Sequence, residues 1–137
     1  MVTQLPSKER CVVSGIKFLL DTNVIIGLLK NTPAALKLVQ EYGLRPRFAA
    51  ISQITKIELL GFHHITPKEE HEVLMFLKRV KVLAIDTSVE EQAIALRQLR
   101  KIKLPDAIVL ATAIAKDLQI ITMDKALNKA FEAIAKP

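Results

Sequence analysis

The chain has 137 residues, too few for two domains of ordinary size but enough to bury a core without a disulfide or a structural metal. Half of the residues are hydrophobic and a quarter are charged, with only four glycines and six prolines, which excludes a largely disordered or low-complexity chain. Cys11 is the only cysteine, so disulfide scaffolds, Cys-rich zinc modules and thiol redox pairs are excluded, and a reducing cytoplasm is the expected home.

The longest apolar run, Ala107 to Ala115, is interrupted by Thr112 and is about half the ~18 residues that suggest a membrane span. Ser14, Gly15 and Lys17 break the one apolar stretch that could serve as a secretory core, which argues against export. A formal charge of +6 and a pI near 9.6 suit a polyanionic partner such as nucleic acid. With five Phe, one Tyr and no Trp there are few rings on which bases could stack, so phosphates are the expected point of grip.

In chain order, Ile16 to Leu20 reads as a short strand that stops at Asp21-Thr22-Asn23, and Val24 to Lys30 as a helix. Asn31-Thr32-Pro33 gives a cap with proline at the first helical position, and Gly43 a stop, so a second helix is predicted over residues 33–42. Arg47 to Ile51 is the next strand. A third helix carrying Glu58 follows, with Ser52 as its cap, although Thr55 and Glu58 also match a capping box.

Thr66-Pro67 repeats the cap-plus-proline signal, with Glu69 and Glu70 in the first turn and Lys78 and Arg79 in the last, the charge order a helix dipole favours. Lys81 to Ile85 is a third strand. Ser88 and Glu91 form a capping-box pattern for a helix to about Lys101, and a helix opening at Leu104-Pro105-Asp106 is apolar nearly all round through Ala115 and therefore central. Leu118 to Thr122 is the fourth strand, and Asp124 opens a last helix to about Ala133. Strands separated by helices predict an α/β fold: a three-layer α/β/α sandwich around a parallel sheet of four or five strands, spanning residues 16–137 after an extension of residues 1–15 without a clear place.

Ligands of open parallel sheets gather beyond the carboxyl ends of the strands. Asp21 follows the first strand directly, Glu58 lies on the helix after the second, and Asp124 follows the fourth, so three acids belong to that edge. Asp106 joins them if its helix runs antiparallel to the sheet. Singly, each acid is adequate capping chemistry. Together they repel, at ~4 kcal/mol per unit-charge pair for ~4 Å and an effective dielectric of ~20, and either raised pKa values or a bound hard cation must relieve them. An oxygen-only cluster suits Mg²⁺ or Mn²⁺ better than zinc, and such a site activates water and steadies charge on a phosphate.

Four segments then carry a resemblance: Leu19-Leu20-Asp21-Thr22-Asn23, Ser52-x-x-Thr55-x-x-Glu58-Leu59, Pro105-Asp106-Ala107-x-x-x-Ala111-Thr112-Ala113 and Ile121-Thr122-x-Asp124. In order and spacing, over about residues 16–134, the chain resembles the PIN-domain family, especially the VapC-type toxins of toxin–antitoxin pairs. The resemblance implies a Mg²⁺- or Mn²⁺-dependent endoribonuclease with Asp21, Glu58, Asp106 and Asp124 in its metal-binding cluster. Thr22, Asn23 and Thr122 match polar positions that orient ligands or substrate. It also implies a homodimer restrained by a small antitoxin whose C-terminal segment reaches the active-site groove. The chain departs from the family in its longer lead-in, and in having Ala126 and Leu127 where a further acid and an aromatic are often found.

Arg97, Arg100, Lys101 and Lys103 precede Asp106 closely and are candidates to hold RNA phosphates beside the acids; Arg45 and Arg47 are weaker candidates for the same task. His63, His64 and His71 are the only histidines; the adjacent pair could ligate a metal or serve as a general base, but no carboxylate neighbours them in the spacing of zinc sites, and an exposed loop is the expected reading. A binding module that uses the fold without cutting stays open as an alternative. Phosphoryl transfer through an aspartyl phosphate is remote, because Asn23 occupies the position where such enzymes need a second acid, and the scattered glycines form no P-loop.

Overall fold

The computed structural model describes residues 15–135. Most of the extension expected over residues 1–15, and Cys11 with it, lies outside the described residues. The elements, in order, are β1 (Phe18–Leu20), α1 (Thr22–Leu29), α2 (Pro33–Tyr42), a 3₁₀ turn (Pro46–Phe48), β2 (Ala49–Ser52), α3 (Gln53–Leu60), α4 (Pro67–Leu77), β3 (Lys81–Leu83), α5 (Thr87–Leu99), α6 (Leu104–Ala115), β4 (Gln119–Ile121) and α7 (Lys125–Ala135). The four strands form one parallel sheet in the order β3-β2-β1-β4, which is the expected architecture with the lower strand number.

Alternate strand residues face opposite layers, as the two-residue period of a strand requires. Leu19, Ala50 and Ile120 join a core with Val89, Ala93 and Leu96 of α5, the apolar body of α6, and Leu127 and Phe131 of α7. Leu20, Ala49, Ile51 and Ile121 turn to the other face, where Val24 and Ile25 of α1, Leu59 of α3 and Val73 of α4 cover them. Every residue of α6 from Ala107 to Ala113 is buried, so this helix is central as its all-round apolarity predicts. Between α1 and α2 the backbones approach so closely that a Cβ at Gly27 would lie 2.8 Å from that of Ala35. No described helix is long and apolar enough to cross a membrane.

Several boundaries differ from the sequence expectation, each for a local reason. The first helix starts at Thr22 rather than Val24, because Asp21 itself is the N-cap and Asp-Thr-Asn is cap plus first turn. Pro46 has no N–H for a ladder and starts a 3₁₀ turn, so β2 begins at Ala49 rather than Arg47. At the third helix Ser52 is the cap, accepting from the Ile54 N–H at 3.2 Å, whereas Thr55 is buried and its hydroxyl has no partner among the described residues.

The Ser88 capping box does not form. Asp86 caps α5 instead, accepting from the Val89 N–H at 2.9 Å, with its other carboxylate oxygen paired to Lys116. At the far end Arg100 is extended, so α5 stops at Leu99 rather than Lys101. Thr66 and Glu69 do form a reciprocal capping box, which holds the Glu69 carboxyl below its ordinary value through the Thr66 backbone and hydroxyl. Thr32 and Gly43 cap α2 as expected, with Gly43 in the left-handed region at φ 61°.

Candidate metal centre at the carboxyl edge of the sheet

The strand order reverses direction at β1: the chain steps from β1 to β2 to β3 on one side, then crosses to β4 on the other. The crevice between the carboxyl ends of β1 and β4 is therefore the topological switch point where open α/β sheets bind ligands. Asp21 stands at its rim. Its backbone N–H continues the ladder by donating to the Ile121 carbonyl at 2.9 Å, and its side chain is only 7% exposed.

Hydrogen bonds tie six of the sequence-selected residues into one unit across about a hundred positions of chain. Thr122 Oγ1 donates to Asp21 Oδ2 at 2.7 Å, and accepts from the Asp124 N–H at 3.0 Å and from Asn23 Nδ2 at 3.5 Å. That uses the one donor and both lone pairs of a hydroxyl. Asn23 grips the same turn a second time, its Oδ1 accepting from the Met123 N–H at 3.1 Å. Thr22 N–H donates to Asp21 Oδ1 at 2.8 Å, and the Thr22 hydroxyl donates to Glu58 Oε1 at 2.7 Å, which draws α3 to the start of α1. Thr22, Asn23 and Thr122 thus hold the acids and the turn that carries them.

Asp124 Oδ1 accepts from the N–H groups of Ala126 and Leu127 at 2.9 and 3.1 Å, so one of its oxygens caps α7. Asp106 lies in the first turn of α6, half-buried, without a side-chain hydrogen bond among the described residues. Its carboxyl is pushed above the ordinary value by burial first, then by the charges of Asp21 and Asp124 and, more weakly, Glu58; Lys103 opposes the rise. Asp21, Asp124 and Glu58, from three other segments, thus lie near enough to Asp106 for their charges to act on it.

As oriented, no group of three or more His, Cys, Asp or Glu side chains among the described residues stands close enough to hold a metal ion. The chemistry of the donor set nevertheless fits a hard divalent cation: four carboxylates, no imidazole or thiolate, and repulsion at Asp106 that a cation would relieve.

Arg97, Arg100, Lys101 and Lys103 are all exposed on the end of α5 and the connection to α6, with Lys103 as the N-cap residue of α6 three positions before Asp106. Arg45 and Arg47 do not join them. They precede β2 and so stand at the opposite, amino edge of the sheet. His63 and His64 stack at 3.9 Å between ring centroids in an exposed loop, and His71 is exposed on α4.

Sequence reasoning misses a groove of about 220 Å³ that opens beside Glu58, lined chiefly by Ile26 and Leu29 of α1, Leu59 of α3, Phe62 and Ile65 of the following loop, and Val73 of α4. Lys30, Glu69 and Glu72 complete its wall. Phe62, 62% exposed in a Gly-Phe-His-His loop, is the sequence signal that could have marked it.

The PIN domain family model matches residues 18–133. Solved structures similar to the chain include a toxin–antitoxin complex from Klebsiella pneumoniae, at 35% identity over 79% of this chain and 87% of that one, with a TM-score of 0.67. FitAcB from Neisseria gonorrhoeae is similar at 28% identity, 84% and 93% coverage and a TM-score of 0.70. VapBC-1 from nontypeable Haemophilus influenzae is similar at 25% identity, 86% and 93% coverage and a TM-score of 0.66. Among curated proteins no match is found.

Proposed function

The chain belongs to the PIN domain family, and from that premise we propose that it is the toxin of a toxin–antitoxin pair and a Mg²⁺- or Mn²⁺-dependent endoribonuclease acting in the cytoplasm. The observation that supports the reading is the placement of Asp21, Glu58, Asp124 and Asp106 on the carboxyl edge of the sheet, where Asp106 is raised by its burial first and then by the charges of the other three. Asp21 and Asp106 are the principal candidates to hold the ion, with Glu58 and Asp124 completing the cluster. A divalent ion held there supplies water activation and charge neutralisation at a phosphate under in-line attack.

The chain's own residues do the rest. Thr122 and Asn23 orient Asp21 and the 122–124 turn, and Thr22 holds Glu58 toward the cluster. Arg97, Arg100, Lys101 and Lys103 offer phosphates a cationic approach on the same edge, without which four carboxylates would repel an RNA strand.

An antitoxin segment with apolar anchors suits the groove beside Glu58. The groove's carboxylates, Glu58, Glu69 and Glu72, favour a basic residue on that segment. A homodimer is part of the same proposal, and the exposed Ile94, Leu99 and Leu104 around the α5–α6 connection are apolar surface that such an interface would cover.

Incubation of the purified chain with labelled structured RNA tests the reading. Cleavage that requires Mg²⁺, leaves a 5′-phosphate on the downstream fragment and is lost with EDTA or Asp21→Asn supports it. RNA held without metal, uncut, and indifferent to Glu58→Gln and Asp106→Asn would favour a non-catalytic binding module instead.

A further inference from the structure

The carboxyl edge gathers carboxylates, yet the chain carries an excess of six positive charges, and part of that excess lies at the other end of the sheet. Lys17 immediately precedes β1, Arg45 and Arg47 precede β2, and Lys78, Arg79 and Lys81 surround the start of β3. All six are exposed, and none forms an ion pair with a described carboxylate.

The strand register sets Lys17 beside the ring-bearing residue of the next segment. Phe18 pairs with Ala49, so one step toward the amino edge Lys17 stands level with Phe48, while Arg79 lies in the turn two residues before the Ala50–Lys81 pair. The Lys17 N–H donates to the Phe48 carbonyl at 2.8 Å and the Lys17 carbonyl accepts from the Gln119 N–H at 3.0 Å, which anchors Lys17 to both neighbouring strands.

Two of the cations are held in place by an aromatic ring. Lys17 Nζ lies 5.1 Å, and the Arg47 guanidinium carbon 4.6 Å, from the centroid of Phe48, both within cation–π range. Packing on a ring fixes a cation without neutralising it, whereas a carboxylate partner would do both. Lys78 ends α4 and satisfies that helix's dipole, but Lys17 and Arg47 end no α-helix, so local helix electrostatics leaves them unexplained.

We propose that the amino edge, with Lys17 and Arg47 packed on Phe48 and with Arg45 and Arg79 at the starts of β2 and β3, is a second RNA-binding surface, gripping backbone phosphates remote from the acidic centre. A long RNA would be retained there while another stretch of it, or another molecule, occupies the carboxyl edge. Charge favours a polyanion over a protein partner: of the large exposed apolar residues that would anchor a protein interface, Phe62, Ile57 and Leu99 lie on other elements, and only Tyr42, edge-on to Phe18, stands near these cations. That the polyanion is RNA rests on the ribonuclease reading.

Binding of a fluorescein-labelled single-stranded RNA to the full chain in EDTA, followed by anisotropy across about 50–200 mM KCl, tests the proposal. Removing three phosphate contacts with Arg45→Gln, Arg47→Gln and Arg79→Gln should lower the slope of log K against log salt by about 2, and weaken binding at least about tenfold. A control triple variant at the exposed Lys37, Lys68 and Lys129 should keep the wild-type slope, and Arg47→Lys alone should keep it as well.

Circular dichroism confirms that the variants fold. An edge variant that binds as the wild type does, or a control variant that loses as much, overturns the proposal. So does an edge variant that keeps RNA and loses an acidic protein partner. If the wild type cuts RNA while the edge variant's salt dependence is unchanged, this surface alone falls; if the wild type neither binds nor cuts RNA, the ribonuclease reading falls with it.

Discussion

Thr122 Oγ1 donates to Asp21 Oδ2 at 2.7 Å across 101 positions of sequence, joining the end of β4 to the end of β1 at the point where the sheet changes direction. Because the same hydroxyl accepts from the Asp124 N–H, it sets two acids at once. Thr122→Val removes the hydroxyl with little change in volume. RNA cleavage should fall about 10–100-fold, the range found when groups orienting metal ligands are lost, and Thr122→Ser should restore most of it. Steady-state cleavage rates of the three proteins check this, with the largest change expected in kcat.

Asp106 bears the cost of its own burial first and of the neighbouring acids second. Its folded pKa is raised, so between the ordinary value of 3.8 and the raised one the folded state binds more protons than the unfolded, and metal-free stability falls as pH rises through that window. Above the folded pKa the penalty is complete. Asp106→Asn should remove this pH dependence and raise neutral-pH stability in EDTA, by less than at a fully buried site because solvent screens the carboxyl, while abolishing cleavage. Thermal melts from pH 3 to neutral in EDTA provide the comparison.

Asp86 shows the opposite sign. Its carboxyl is held below the ordinary 3.8 chiefly by the hydrogen bond from Lys116, and then by the Val89 N–H that it caps. The stability it adds is present above 3.8 and is lost as pH falls through the lowered folded value. Asp86→Ala should therefore lower Tm at neutral pH, and the gap to wild type should close on acidification below 3.8.

Leu110, fully buried at the centre of α6, packs in the core cluster that joins the sheet to α5 and α7. Leu110→Ala should destabilise the chain by about 2–5 kcal/mol, through lost transfer free energy and the cavity left behind. Urea unfolding of the metal-free protein measures it.

The layers were legible in the sequence because apolar runs such as Leu118 to Ile121 and the all-round apolar stretch from Ala107 to Ala113 have few other places to go. Asp21, Glu58 and Asp124 could be set on one edge for a similar reason: a parallel sheet places whatever follows each strand on the same side. What the sequence concealed depends on choices between near-equal partners. Asp86 or Ser88 could cap α5, and only the fold brings Lys116 to Asp86.

The groove beside Glu58 was hidden because it needs α1, α3 and α4 to meet, and no one segment carries its pattern. Charge alone makes Arg45 and Arg47 weaker candidates beside the site's cations, and strand direction puts them at the far edge. The hydrogen bonds that aim the acids, from Thr22 and Thr122, are likewise products of three-dimensional contact rather than of spacing.

A catalytic role for this edge requires that four carboxylates from separate segments take up a divalent ion. Calorimetric titration of Mn²⁺ into the metal-free chain measures that directly. Saturable uptake by the wild type, lost in both Asp21→Asn and Asp106→Asn, is the result predicted; no uptake by the wild type, or uptake unchanged in the two variants, would contradict it.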